Sequence, residues 1–459
     1  MTTRSILAIA LYASVSVTVF AAEPSPENWA RWRGPLANGT APAGAPPTKW
    51  SETENVKWKL KLPGFGTSTP IVWGNQVFVL TAIPTGKKTE PAPEVAAAPA
   101  PPAEPGGNPP GERRRRGGGG GRSEQPSEAY QFVILSVDRQ SGKILWQKTA
   151  TEQVPHEGHH RDHGFASASP VTDGEHLYAS FGSRGIFCYD LAGNVKWEKD
   201  LGDMQTRNAF GEGTSPALHG DTLVVSWDHE GTDFIVALDK RTGQERWRQP
   251  RDEPTTWSTP LIVEHEGKAQ VIVSATNKIR SYDLATGQQV WECGGMTGNV
   301  VPTPVSDFGM VYAISGFRGA SLMAIKLGRT GDLTGTDAIA WQHAKSTPYV
   351  PSPLLLGERL YFLAGNNGIL SCFNAKTGLP HFEGERIAHL LGGVYASPVG
   401  AADRVYLIGR DGKSVVIKND DKLEALATNQ LDDKFDASPA VVGRQLFLRG
   451  HQHLYCIAE

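Results

Sequence analysis

The chain has 459 residues, 45 of them basic and 48 acidic, and the net charge of −3 leaves no basic footprint of the kind that nucleic-acid binding requires. Apolar residues make up 39%, beside 51 glycines and 32 prolines, which suits many short strands joined by tight turns. No stretch beyond the N-terminus approaches the roughly 18 consecutive apolar residues of a membrane-spanning helix.

Residues 1–21 read as a secretory signal peptide, with Arg4 as the charge, an apolar run from Ile6 to Phe20, and a small-residue cleavage pattern at Val19-Phe20-Ala21. The mature protein is therefore expected to be exported, periplasmic or secreted, without a transmembrane helix. Residues 22–49 begin with Trp29-Ala30-Arg31-Trp32-Arg33-Gly34-Pro35 and continue rich in Pro, Gly and Ala. This stretch lacks strand alternation, and it is expected to be an extended segment that packs its two tryptophans onto the outside of the fold.

From Trp50 onward one unit keeps returning. Its opening pair is Thr69-Pro70, Ser169-Pro170, Ser215-Pro216, Thr259-Pro260, Thr303-Pro304, Ser352-Pro353, Ser397-Pro398 and Ser438-Pro439. Successive prolines lie 100, 46, 44, 44, 49, 45 and 41 residues apart, and a period of roughly 40–50 marks a propeller or solenoid array. Each unit holds four strands. Proline is tolerated at the start of the first, where no ladder donor is needed. An apolar run such as Leu223-Val224-Val225 forms the second. The third ends in Asp138, Asp190, Asp239, Asp283 or Asn374, whose side chain can accept from backbone N–H groups of the following turn. A glycine (Gly142, Gly193, Gly243, Gly287 or Gly378) supplies the left-handed turn angle, and four residues later Trp146, Trp197, Trp247, Trp291 or Phe382 opens the fourth strand. Trp58 and Trp341 occupy the same slot. A tryptophan buries roughly 150–250 Å², so these side chains are the expected docking plugs between units.

The chain ends supply what each other lacks. Val56-Lys57-Trp58-Lys59-Leu60 looks like a fourth strand with no unit before it, and the last unit stops at Tyr455-Cys456-Ile457-Ala458-Glu459 without one. Pairing them removes two open sheet edges. The expected fold is all-β: an eight-bladed β-propeller over residues 50–459, of four-stranded antiparallel blades, closed by an N-terminal strand. Unit five has a longer turn, Leu327 to Thr336, and unit seven has Asn419-Asp420-Asp421-Lys422 and no tryptophan. Unit one carries an insertion over residues 84–128, with runs of Ala and Pro, then Arg113 to Arg116, then Gly117 to Gly121. Too few apolar residues are present there to offset chain ordering, so disorder is expected.

Three of the four cysteines, Cys188, Cys372 and Cys456, fall in the same slot of the repeat, and the fourth is Cys293. Equivalent positions in different blades lie farther apart than the roughly 4.4–6.8 Å that a disulfide spans, so all four are expected to be small buried residues.

Two constellations could carry chemistry. His156-Glu157-Gly158-His159-His160 spells the His-Glu-x-x-His of zinc proteases, a pattern that works on a helix. Here Pro155 and Gly158 oppose a helix and the motif falls between strands. No metal is expected, with His156 and His160 as the weak candidates for one. The second is an aromatic before most Ser/Thr-Pro pairs: Phe65, Phe165, Phe210, Trp257, Tyr349, Tyr395 and Phe435, interrupted by Val300. These should ring one mouth of the central channel, either stacking a flat ligand or packing neighbouring blades, with Arg207, Asn208, Glu212, Asn299 and Arg318 as polar companions.

The Asp-x-x-Thr-Gly-x-x-x-Trp spacing of Asp239 to Trp247 and Asp283 to Trp291 resembles the tryptophan-docking repeat of the pyrroloquinoline-quinone-like propellers, over about Trp50 to Glu459. The Trp-x-x-Trp-Arg-Gly-Pro stretch looks like an exported branch of that superfamily. The resemblance implies either quinone- and calcium-dependent oxidation of alcohols or sugars, or scaffolding, as in the propeller lipoprotein of outer-membrane β-barrel assembly. The adjacent cysteine pair of the dehydrogenases is missing, and no position matches their calcium ligands or catalytic Asp, so quinone with calcium is not supported by identifiable ligands. The lipoprotein's cysteine at the cleavage site is also missing. The expectation is a non-enzymatic interaction or scaffold module with envelope proteins as partners, a monomer by itself, with the quinone-dependent oxidoreductase as the alternative.

Overall fold

The computed structural model describes residues 27–88, 123–390 and 392–459. The stretch read as a signal peptide and the Arg113–Arg116 run lie outside the described residues. Among the described residues eight sheets follow one another around a ring, each built on four antiparallel strands, consecutive in the chain except in the last blade. Blade 1 is Ile71–Trp73, Gln76–Lys88, Glu128–Asp138 and Ile144–Gln153. Blades 2 to 8 begin at Val171, Ala217, Leu261, Val305, Leu354, Val399 and Ala440. Blade 1's central hairpin runs into the stretch read as insertion, pairing Pro84 with Tyr130 and Lys88 with Glu128.

Ring closure follows the sequence expectation. Val56–Lys61 supplies the fourth strand of blade 8, antiparallel to His453–Ile457, with Trp58 opposite Cys456. Four cysteines, Cys188, Cys293, Cys372 and Cys456, are buried as free thiols.

The tryptophan turn works as its residues suggest. Asp239 Oδ1 accepts from the N–H groups of Arg241 and Thr242 at 3.0 and 3.1 Å, and Asp283 and Asn374 repeat the arrangement. The tryptophan of each blade then docks on the turn of the next. Indole Nε1 donates to the carbonyl of Arg139 from Trp58, of Leu191 from Trp146, of Lys240 from Trp197, of Leu284 from Trp247 and of Ala375 from Trp341, at 2.8–3.0 Å. Glycine is required for the approach as well as for its angle: a Cβ on Gly142 or Gly287 would lie 2.7 or 2.6 Å from the indole it meets. Trp291 is buried with no partner for its Nε1, because the unit it faces carries the longer turn. There Gly331–Asp332 instead adds a short parallel strand beside Trp291 and Glu292.

The Ser/Thr of each Ser/Thr-Pro pair has a role that its proline hid. Its hydroxyl accepts the backbone N–H of the equivalent residue one blade earlier. Seven such links run from Thr69 through Ser169, Ser215, Thr259, Thr303, Ser352, Ser397 and Ser438, at 2.8–3.2 Å. The eighth is not made: the Thr69 hydroxyl is buried without a partner, and Arg449 instead bridges blade 8 to the Ser68 carbonyl of blade 1 at 3.2 Å. Ser352→Ala would leave the Thr303 N–H buried and unpaired. It is expected to cost about 1–3 kcal/mol in denaturant unfolding, whereas the exposed Ser141→Ala should cost less than half of that.

One expectation is overturned. The segment from Trp29 to Ala45 does not pack on the outside but crosses one end of the central channel. Trp29 pairs with Val72 of blade 1, and the Ala30 carbonyl accepts from Thr172 of blade 2. Trp32 Nε1 reaches the Thr303 hydroxyl of blade 5 at 3.1 Å. Asn38 meets Leu355 of blade 6, Thr40–Ala41 runs parallel to Gly400–Ala401 of blade 7, and Ala45 meets Gly443 of blade 8. Arg33, 1% exposed, donates to the carbonyls of Pro353 at 2.7 Å and Pro398 at 2.8 Å. The physical reason is that the first strands leave unpaired backbone groups along their inner edges, and an extended chain can satisfy them. Gly34 and Gly39 permit the path, since a Cβ on either would collide with Trp29 or Arg33.

Candidate functional site

With one end crossed by its own chain, the channel becomes a blind axial cavity of about 250 Å³. Trp32 forms its floor. The buried hydroxyls of Ser169, Ser215, Thr259, Thr303, Ser352, Ser397 and Ser438 form a belt around it. Above them stand Phe210, Trp257, Tyr349 and Tyr395, with His160, Asp162, His163 and Asp436.

Four of the seven aromatics expected at the mouth thus line one cavity. Trp257 is fixed by its Nε1, which donates to the Gly211 carbonyl at 2.7 Å, and Phe210 lies edge-on to His160 with ring centroids 5.0 Å apart. Tyr349 lies against Phe317 at 4.8 Å, and the Arg318 guanidinium sits over that same Phe317 ring. Asn299 accepts from Arg207 at 3.3 Å, which gathers Arg207, Asn299, Arg318 and Tyr349 on one arc of the rim. The remaining three aromatics are placed elsewhere. Phe165 lines a separate pocket beside His159 and Tyr130, Phe65 packs on His451, and Phe435 is buried against Tyr455.

The charges of the mouth are matched to one another. Arg410 donates to Asp436 Oδ1 at 2.6 Å and to Asp162 Oδ1 at 3.0 Å, and its guanidinium lies 3.8 Å from the centre of the Tyr395 ring. His451 Nε2 approaches Asp436 Oδ2 at 2.9 Å. Burial pushes both carboxyls up, but hydrogen bonds and the nearby positive charge outweigh it and hold each below the usual range. Burial pushes His163 down to about 4, leaving it neutral at neutral pH. Residue spacing gave no notice of Asp162, Asp436 and Arg410. The one available signal is that Asp436 follows Phe435 in the aromatic slot and Asp162 lies two residues after His160, already singled out.

The His156–His160 motif forms no helix, and its ends part. His160 faces the axial cavity, whereas His156 lines a second pocket of about 40 Å³ between the first three blades. There His156, Glu157 and Glu212 place donor atoms within 4.8 Å of one another. Glu157 accepts from the Thr206 N–H at 3.2 Å, and Glu212 accepts from the Ser183 N–H at 2.7 Å and its hydroxyl at 2.5 Å. Burial pushes Glu212 up to about 7, against the Ser183 bonds and with the adjacent Glu157 adding to it.

No curated protein sequence matches the chain. Among solved structures, the quinohemoprotein alcohol dehydrogenase of Comamonas testosteroni is similar at TM-score 0.58 and 10% identity, covering 95% of this chain and 81% of that one. The quinohemoprotein alcohol dehydrogenase ADHIIG of Pseudomonas putida HK5 follows at 0.55, with the same identity and coverage. BamB of Moraxella catarrhalis is similar at 0.50 and 15% identity, covering 73% of this chain and 90% of that one. At these identities the likeness shows the fold alone. The family model described as outer membrane protein assembly factor BamB matches residues 131–383, more than half of the chain, and the protein belongs to that family of quinone-like propellers.

Proposed function

We propose that the protein is an exported, non-enzymatic propeller that serves as a protein-interaction module of the cell envelope, with the rim of the axial cavity as its receiving surface. The observation that carries this reading is the pairing of the mouth's charges. Asp162 and Asp436 share Arg410, Asp436 also holds His451, and His163 is neutral. General acid–base work needs a group poised to exchange a proton near the operating pH, and the carboxylates here are held ionised well below it. Aromatic faces beside satisfied polar groups are instead the composition of a recognition surface. Membership of a family described by an outer-membrane assembly factor supports envelope proteins as the partners, and the N-terminal signal sequence supports export. Among the described residues no helix is long and apolar enough to cross a membrane.

The quinone alternative is a poor match to the residues present. Pyrroloquinoline quinone is a tricarboxylate, and the walls of the axial cavity offer it Asp162 and Asp436, two carboxylates whose guanidinium is already engaged.

Two measurements test the proposal. Calorimetric titration of the mature protein with the quinone, with and without calcium, is expected to give no saturable heat; one site per chain at micromolar affinity or tighter would overturn the non-enzymatic reading. A photo-crosslinking residue at Phe317 on the rim is expected to trap a discrete envelope protein in native cells, while the same residue at Leu379, which is 67% exposed on blade 6, traps none. Equal labelling at both positions would remove the rim from the proposal.

A further inference from the structure

We propose that His156, Glu157 and Glu212 form a binding site for one zinc-class divalent ion that fastens the blade 1–2 connection to the blade 2–3 connection. The site is independent of whatever the axial cavity receives.

Four observations lead there. The first is proximity: the three donor atoms lie within 4.8 Å of one another. Ligands bound at about 2.0–2.2 Å stand closer together than that by only a small side-chain movement. The second is orientation. Thr206 holds the Glu157 carboxylate through its N–H and hydroxyl, and Ser183 holds that of Glu212 in the same two ways. Both carboxylates are thereby fixed in orientation, which is how supporting hydrogen bonds prepare metal ligands.

The third is the fourth donor. His156 Nε2 lies 2.5 Å from the Met204 carbonyl oxygen and 3.7 Å from Glu212 Oε1. In the free protein that nitrogen carries the proton donated to the carbonyl. When the ion binds, the imidazole changes tautomer: Nε2 gives up its proton while Nδ1, which faces Asp203 at 3.8 Å, takes one from solvent, so the ring stays neutral, the Nε2 lone pair turns to the metal, and the Met204 oxygen is adjacent as a further ligand. The fourth is setting. The donors line a cavity of about 40 Å³, room for an ion and one water. Glu157 is 7% exposed, and two carboxylates gathered in such a place call for a positive charge. The Arg184 guanidinium acts on Glu212 from a distance while it donates to Asp203, Gln153 and Val154. One imidazole with a few oxygens suits zinc; calcium would demand six to eight oxygen ligands.

The rival occupant is a proton shared between the two carboxylates, and the experiment separates the two. Metal-stripped, tag-free full-length mature protein is titrated with zinc chloride by calorimetry, with manganese and calcium chloride in parallel, and cobalt(II) is added to read its visible ligand-field bands. The expected result is one zinc per chain, at least tenfold tighter than calcium, with a raised melting temperature. Glu212→Gln can still accept the Ser183 N–H through its amide oxygen and should fold, yet it is expected to weaken zinc by at least about 100-fold, since even supporting residues cost 10–100-fold. His156→Ala should abolish the cobalt bands, whereas His160→Ala, in the other cavity, should leave affinity and spectrum unchanged. No saturable zinc binding, or binding indifferent to Glu212→Gln, would overturn the site and leave the shared proton as its occupant.

Discussion

A chain that begins at Leu62, without the closing strand and the segment across the channel, is expected to aggregate and to lose its cooperative melting transition. The closing strand contributes five registered pairs to His453–Ile457, and without it that strand becomes an open edge available to other chains. Trp58 is 8% exposed, lies on the Gly142 turn and donates to the Arg139 carbonyl. Removing such a side chain alone costs about 3–5 kcal/mol. Trp29 and Trp50, at 0% and 3% exposure, are lost with it, and so is Arg33, which joins the first strands of blades 6 and 7. The total exceeds a substantial part of the roughly 5–15 kcal/mol by which a typical native state is stable. Light scattering after size exclusion, together with calorimetric melting, reads the outcome. A companion chain beginning at Trp50 keeps the closing strand. It should still fold as a ring, with the axial cavity open at both ends and a lower melting temperature. If the Leu62 chain melted like the full mature protein, neither the strand nor the segment would hold the ring.

The propeller was legible in the sequence because its units repeat a chemistry and not only a hydrophobic pattern. Asp239, Gly243 and Trp247 each have one job in the turn, and their fixed spacing exposes it wherever it recurs. The same logic fails for Trp29 to Ala45, which occurs once. Its route is set by inner-edge backbone groups that no side-chain pattern reports. The hydroxyl belt was in plain view as the Ser/Thr of every opening pair, but its acceptor role becomes visible only when neighbouring blades are set side by side. The aromatic slot was half informative. All seven aromatics lie in connections between strands, where equal sequence position does not fix equal direction, so Phe210, Trp257, Tyr349 and Tyr395 turn to the cavity while Phe65, Phe165 and Phe435 do not. Arg410 lies 26 residues from Asp436 but 248 from Asp162, and no spacing in the sequence reports that the three meet.

Asp228→Ala is expected to destabilise the protein by about 3–5 kcal/mol, the cost of leaving one partner of a buried ion pair behind. Arg251 follows the last strand of blade 3 and turns back beneath it. Its Nε and Nη2 donate to Asp228 Oδ1 and Oδ2 at 2.5 and 2.9 Å, and its Nη1 donates to the Tyr282 hydroxyl of blade 4 at 2.8 Å. The two side chains are 0% and 1% exposed, so water cannot take the place of either. With Asp228 gone, the guanidinium keeps the tyrosine and the more distant carboxylates of Asp233 and Glu253, the latter already receiving Arg280 at 2.7 Å. The double variant Asp228→Leu with Arg251→Met removes both charges and should recover most of the loss, because an apolar pair of similar volume carries no desolvation cost. Guanidinium unfolding of Asp228→Leu, Arg251→Met and the double variant forms the cycle. A coupling below about 1 kcal/mol, the range of exposed pairs, would mean that the blade 3–4 junction does not depend on this bridge. Asp228 also lines the pocket that holds Glu212. The double variant therefore asks whether that pocket keeps its zinc affinity once stability is restored, separating the framework around the carboxylates from the carboxylates themselves.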